Sequence, residues 1–356
     1  VEERSLMRIG IVFHKNPLAP PTGIDLVRLR AIATGLLSEG IEVEIIAPVE
    51  REGRLNKLIP VRTLGALDGS SRYDLVKTCY HHSITLIGKF KGPVVSRIVR
   101  VVDNLLPERD GPFREMLLHC QEMIKARAST VSLNNTINRD RWKYLYGTTP
   151  PTVLVPTGCP STIPASMSNP FTSKVPAMLF LGSLAAPRMV HLLNEAARRL
   201  EGWCTIHLVG VNKASLYGGN EDCKLDPLVV QHGELPEDDV WDYISYSAIG
   251  LALATGINRF DNDLSKIFNY LRGGLPVLSE ELVINNELIQ QTGFGKIFSY
   301  GDIDALVSGV EQLLENPPTH KRQEVISFMV REHSWERRVK TYVKLFQKML
   351  GGSAPV

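Results

Sequence analysis

Twelve short apolar runs recur along the chain, separated by helical patterns of roughly 10 to 15 residues. In the first half they are "RIGIVF" (8–13), "EVEIIA" (42–47), "DLVKTCY" (74–80), "VVSRIVRVV" (94–102), "STVSL" (129–133) and "TVLVP" (152–156). In the second half they are "AMLFLG" (177–182), "CTIHLVG" (204–210), "LVVQHG" (228–233), "AIGLAL" (248–253), "PVLS" (276–279) and "GKIFS" (295–299). A strand covered on both faces is a nearly continuous apolar run, and strands alternating with helices build parallel βαβ units. Between the two sets lies "GCPSTIPASMSNPFTSKVP", whose Pro and Ser content is that of a linker. The pattern predicts an α/β protein of two doubly wound domains facing each other, 1–165 and 166–333, followed by 334–356. That last segment contains "HSWERRVKTYVKLFQKML", with Trp335, Val339, Tyr342, Val343, Phe346 and Met349 on one stripe. It is an amphipathic helix with no strand to follow, expected to pack back on the first domain.

Composition narrows the class. A length of 356 residues allows two ordinary cores, and 44% hydrophobic with 22% charged residues excludes disordered and fibrous chains. The five cysteines (79, 120, 159, 204, 223) are scattered and include no CxxC pair, which argues for reduced thiols and against a zinc site or disulfide framework. "VEERSLMRIGIVF" lacks the signal-peptide pattern, and "AIGLALATGI" is about half a bilayer span. A cytoplasmic protein that does not cross membranes is expected, with no nucleic-acid partner. Residues 1–165 carry 22 Lys and Arg against 16 Asp and Glu, whereas 166–356 carry 18 against 22. The basic first half suits an anionic acceptor or a peripheral contact with the inner face of a membrane.

Open parallel sheets bind ligands beyond the carboxyl ends of their strands. In "DLSKIFNYLRGGLPVL" (263–278), Leu264, Ile267, Phe268 and Leu271 form a helical stripe, with Asp263 as the expected N-cap and Gly273-Gly274 as the stop. Lys266 then falls in the first turn, against the positive helix pole, where a cation is unfavourable unless an anion accompanies it. A lysine reaching into solvent is the bland alternative. Arg188, just after Pro187 in "LGSLAAPRMVHLL", repeats the misfit at an equivalent turn. Two such cations point to a shared diphosphate. Asn269, one turn beyond Lys266, is placed to bond ribose or sugar hydroxyls. Asp261 and Asp263 form a DxD triplet, but two cations already make a metal redundant, and none is expected. Thr22-Gly23 opens the first helix and permits close backbone approach. Asp103, His81 and His82 follow strands of the first half and are candidates for an acceptor hydroxyl. The absence of GxGxxG, Gly-x-Ser-x-Gly, HExxH and CxxC leaves dehydrogenase, hydrolase and metalloprotease readings without a motif.

With these residues in view, the chain resembles the nucleotide-sugar-dependent glycosyltransferases of the GT-B fold, most closely the retaining GT4-like families. The resemblance runs through "MRIGIVF", "PPTGIDLVRLRAIATGLLSEGIEVEIIAP", "YLYGTTPPTVLVPTGCP", "AMLFLGSLAAPRMVHLLNEAARRL", "QHGELPEDDVWDYISYSAIGLAL" and "HSWERRVKTYV". Its most specific element is "LSKIFNYLRGGLPVL", similar to the families' "lp.K.fEYlaaGkPVv". It implies two Rossmann-like domains around a central cleft, a donor-binding second domain and an acceptor-binding first domain. It further implies a metal-independent hexosyltransferase with no cofactor, using a nucleotide-diphosphate sugar and a saccharide, lipid-linked or small-molecule acceptor. Lys266 and Arg188 would neutralise the departing diphosphate, and Asp261 and Asn269 would hold hydroxyls. Gly182, Ser183 and Thr22-Gly23 would line the donor phosphates, with Gly233, Glu234 and Leu235 at the base. Asp103 would be catalytic toward the acceptor, beside His81 and His82. Ser183 stands where these families usually have Arg, Asn269 where they have Glu, and Asp103 where a His often follows the strand. A nucleotide-sugar 2-epimerase and a non-catalytic GT-B subunit are the alternatives.

Overall fold

A computed structural model describes residues 7–19, 23–68, 72–103, 111–165, 168–217, 223–258 and 262–351. The chain forms two units, Val1–Gly158 with Trp335–Val356, and Cys159–Ser334. In the first, β1 (Arg8–Val12), β2 (Glu42–Ile46), β3 (Gly53–Leu55), β4 (Ile59–Arg62), β5 (Leu75–Thr78), β6 (Val94–Ile98), β7 (Thr130–Leu133) and β8 (Thr152–Leu154) make one sheet. Its order is β3-β4-β2-β1-β5-β6-β7-β8, and every neighbouring pair is parallel except β3 with β4. The β3–β4 hairpin is absent from the sequence-based expectation. Its turn, closed by Leu58 N on Leu55 O at 3.2 Å, puts Asn56 (φ 51°) and Lys57 (φ 61°) in the left-handed region, the conformation of a type I′ turn. Helices α1 (Ile24–Ser38), α2 (Gly111–Arg127) and α3 (Thr136–Tyr146) complete the crossovers. Leu26, Leu29, Ile32 and Leu36 of α1 are buried, as their spacing predicts.

The second unit holds β9 (Ala177–Leu181), β10 (Thr205–Val209), β11 (Val229–Gly233), β12 (Ile249–Ala252), β13 (Val277–Glu280) and β14 (Gly295–Phe298). These run in the order β11-β10-β9-β12-β13-β14, parallel throughout. Its helices are α4 (Pro187–Arg199), α5 (Ala214–Tyr217), α6 (Val240–Tyr246), α7 (Lys266–Arg272), α8 (Asn286–Thr292), α9 (Ile303–Glu315) and α10 (Arg322–His333). One correction concerns the start of α7. Asp263 does not cap it: Ser265 precedes the helix without a side-chain cap, and the Asp263 carboxylate accepts from Asn285 Nδ2 at 3.0 Å. The predicted stop at Gly273 is where α7 ends.

The terminal helix α11 (Trp335–Met349) belongs to the first unit. Trp335, Val339, Tyr342 and Phe346 enter the same core as Leu29, Ile32 and Leu36 of α1. Gly35 permits this packing, since a Cβ there would lie 2.4 Å from Val339. Among the described residues no helix is long and apolar enough to cross a membrane.

In the second unit the β9–β12 ladder is short, pairing only Met178 with Ile249 and Leu179 with Gly250. Past it, the buried Tyr270 hydroxyl takes over, accepting from Leu181 N at 2.8 Å and donating to Leu179 O at 3.0 Å. Tyr270→Phe leaves a buried N–H unmet and should cost about 1–3 kcal/mol in denaturant unfolding. An unchanged midpoint would show that the hydroxyl does not hold these strands.

Candidate functional site

Crossovers from β9 run one way through β10 and β11, and the other way through β12, β13 and β14. The carboxyl-end crevice at such a reversal is where open parallel sheets take ligands. Two loops flank it, the one after β9 and the one after β12. In the first, Gly182 (φ 94°) turns the chain in a conformation closed to most side chains, its N–H on Val209 O at 2.8 Å. Ser183 is exposed, and α4 then begins at Pro187 with Arg188 second.

Arg188 does not stand free. Its guanidinium bonds both oxygens of Glu280, 3.2 Å from Nη1 to Oε2 and closer from Nη2 to Oε1, and it donates to Ala254 O. Its guanidinium carbon lies 4.0 Å from the Tyr300 ring centroid. Glu280, at the end of β13, is 0% exposed and also accepts from Ala254 N at 2.6 Å and Gly301 N at 2.9 Å. One carboxylate thus ties together the loops after β12 and β14 and the start of α4. The sequence expectation left Glu280 out; its one outward sign was an acid closing an apolar strand run.

Lys266, the first residue of α7, is partly buried with Nζ 3.4 Å from the centroid of the Phe180 ring on β9. Among the described residues no hydrogen bond or ion pair engages this ammonium. Burial lowers its pKa to about 7. Asn269 lies one helical turn on, partly exposed, its side chain without a described bond. At the end of β11, Gly233 accepts from Gly210 N at 2.8 Å, and beyond it Glu234 is exposed and Leu235 packs on the core. Beside them runs a chain of polar contacts, Tyr243 Oη to His232 Nδ1 at 3.1 Å and His232 Nε2 to His207 Nδ1 at 2.9 Å.

The first unit has its own reversal, between β1 and β5. His14 follows β1 and stacks on Tyr80 and His82, centroids 5.2 and 5.4 Å away, which follow β5. Burial lowers His14 to about 4, so its ring is neutral near pH 7. His81 is 1% exposed with neither ring nitrogen bonded, which leaves His14 and His82 as the less buried rings of the group. Gly23 (φ 81°) opens α1. Asp103 lies beyond β6 with Oδ2 2.7 Å from Arg141 Nη2, while its carbonyl accepts from Arg114 at 2.9 Å. Thr22 and Asp261 lie outside the described residues. Among the described residues no group of three or more His, Cys, Asp or Glu is arranged to hold a metal ion.

No protein-family model and no curated protein sequence matches the chain. Solved structures do match it in fold. Sucrose-phosphate synthase from Thermosynechococcus elongatus superposes with a TM-score of 0.76 at 14% identity, over 98% of this chain and 100% of that one. The Anabaena protein HepE in complex with UDP-glucose gives 0.73 at 15% identity, over 96% and 100%. A glycosyltransferase from Rickettsia africae gives 0.70 at 13% identity, over 98% and 100%. The chain has the GT-B fold: two Rossmann-like β/α domains and a terminal helix on the first.

The central role of Glu280 is open to test. Removing its carboxylate strands a partly buried guanidinium and two amides, so Glu280→Ala should lower unfolding free energy by about 3–5 kcal/mol. A loss under about 1 kcal/mol would mean that solvent replaces the carboxylate.

Proposed function

We propose that the chain is a GT4-like, retaining glycosyltransferase that moves a sugar from a nucleotide-diphosphate sugar to a hydroxyl acceptor. The observation that carries this reading is Lys266: an ammonium at a strand-order reversal, against an aromatic face, with no anion beside it among the described residues. A cation left unmatched in a crevice of this kind awaits a negative ligand. The fold shared with HepE, whose structure contains UDP-glucose, supports a nucleotide sugar as that ligand.

In this reading Lys266 pairs with the diphosphate and takes up charge as the sugar–phosphate bond breaks. Arg188 offers hydrogen bonds from a guanidinium that Glu280 fixes in place. Gly182 and Ser183 border the phosphates, Gly233 to Leu235 meet the base, and Asn269 with Asp261 holds ribose or sugar hydroxyls. Thr22-Gly23 contributes backbone groups from the first unit. Asp103, oriented by Arg141, accepts a hydrogen bond from the acceptor hydroxyl, and His81 and His82 contribute to the acceptor site. The reading has no metal and no cofactor. The acceptor is a saccharide, a lipid-linked sugar or a small molecule.

A second reading, a non-catalytic nucleotide-binding subunit, is favoured by the Arg188–Glu280 pair and by Asn269. The buried carboxylate offsets one of the two cations that the diphosphate would need.

Titration calorimetry with UDP, GDP, ADP, dTDP and CMP, with and without EDTA, tests the site. One diphosphate should bind regardless of EDTA and weaken at least about tenfold in Lys266→Ala, a loss of about 1.4 kcal/mol. If none binds, the donor-site reading fails. Turnover separates the two readings: a transferase releases nucleoside diphosphate slowly from its nucleotide sugar even to water, and a binding subunit does not.

The pH dependence follows from Lys266. Only its protonated form pairs with phosphate, and the free ammonium titrates at about 7. Above that pH, binding must take up a proton, so affinity should fall toward about tenfold per pH unit. Lys266→Arg keeps its charge and should bind with little change between about pH 7.5 and 9.5. Parallel profiles for the two proteins would remove Lys266 from the phosphate contact.

A further inference from the structure

The cations of the first unit are not all on its surface. Arg28 of α1, Lys77 of β5, Arg97 of β6 and Arg338 of α11 are 6%, 1%, 1% and 8% exposed. The three arginines converge on the segment that leaves β8. Arg97 Nη1 donates to Val155 O at 3.0 Å, and Arg338 donates to Thr157 O through Nε at 3.2 Å and Nη2 at 3.1 Å. Arg28 Nη2 reaches Thr157 Oγ1 only at 3.5 Å. Lys77 stands between the sheet and α11, with Nζ on Thr78 O at 3.2 Å and 4.8 Å from the Tyr342 centroid.

Acidic partners are scarce. Among the described residues the one carboxylate paired with Arg28, Lys77 or Arg97 is Asp25, 3.5 Å from Arg28 Nη1 and shared with Lys15 at 3.9 Å. Nε of Arg28 is buried without a hydrogen bond, and Nε and Nη2 of Arg97 are buried without a well-aligned one, the Arg97 charge facing the Tyr342 hydroxyl, whose pKa it helps to lower. Arginine does not shed its proton in proteins, so these charges persist and repel one another inside the fold. Burial and the Arg97 charge both disfavour the Arg28 cation. Planar guanidinium forks with free N–H groups suit one class of ligand above others, the tetrahedral oxyanions.

We propose that Arg28 and Arg97, backed by Lys77 and Arg338, form a binding site for a phosphate group against the Val155–Thr157 segment. The group is either free inorganic phosphate or the phosphate of an ester such as a sugar phosphate. The inference is independent of the donor-site reading, because every group in it belongs to the first unit.

The test is thermal unfolding of the full chain in inorganic phosphate, in a hexose 6-phosphate, and in chloride at equal ionic strength. A saturable rise of roughly 2–5 °C in phosphate, absent in chloride, is expected. It should persist in Lys266→Ala and vanish in Arg97→Met. A response to inorganic phosphate assigns the site to the free ion. A response to the hexose phosphate alone assigns it to a phosphate ester. If Arg97→Met does not fold, Arg28→Gln takes its place, and calorimetric binding of phosphate to the wild type under saturating UDP gives an independent reading. No saturable response in the wild type overturns the proposal, as does an equal response in chloride. A response lost in Lys266→Ala but kept in the arginine variants also overturns it, because the phosphate then sits in the donor crevice.

Discussion

A parallel sheet sends all its strands out through one edge, and the reversal of strand order at β9 forces the chain to leave that edge in two directions. Between the diverging loops the backbone runs out of ladder partners, and side chains must finish the job. The hydroxyl of Tyr270 closes the lower part of the gap between β9 and β12, reaching Leu181 N and Leu179 O. Above it, Glu280 gathers Arg188, Ala254 N and Gly301 N around one buried carboxylate. Among the described residues Lys266 has no ion-pair partner and lies on the face of Phe180. The chemistry of the second unit follows from this arrangement of matched and unmatched groups.

The two cations at this edge differ in kind. Arg188 is balanced by a carboxylate with no access to water, so its value to a ligand is directional hydrogen bonding rather than net charge. Lys266 has an apolar neighbour and a pKa near neutrality, so its charge responds to whatever anion arrives. In the first unit burial instead keeps His14 neutral, while Arg28 and Arg97 cannot be neutralised by losing a proton. The positive character of that half is carried partly inside, where a counter-ion matters more than it would on a solvated face.

Much of this was legible in the residues. Twelve of the fourteen strands among the described residues were marked by their apolar runs, and the return of the terminal helix to the first unit followed from its apolar stripe, though its partner α1 was not named by any pattern. The β3–β4 hairpin escaped because "GRLNKLIPVR" is short and charged, and its turn uses Asn-Lys rather than a glycine. Asp263 looked like a cap, but its carboxylate had a stronger claim on it from Asn285, 22 residues away. The pairing of Arg188 with Glu280 spans 92 residues and leaves no local pattern. The charge excess of the first half was visible as a count, whereas the burial of Arg28, Lys77, Arg97 and Arg338 depends on tertiary packing that no spacing encodes.

The most direct measurement is the titration of Lys266 itself, followed through the chemical shift of its Cε in isotopically labelled protein, with and without saturating nucleotide. The free ammonium should titrate near 7. With a diphosphate bound it should stay protonated to above about pH 9, because a neighbouring anion favours the charged form. A free value near the ordinary lysine range, about 10.4, or a value that the bound nucleotide leaves unchanged, would contradict the role assigned to this residue.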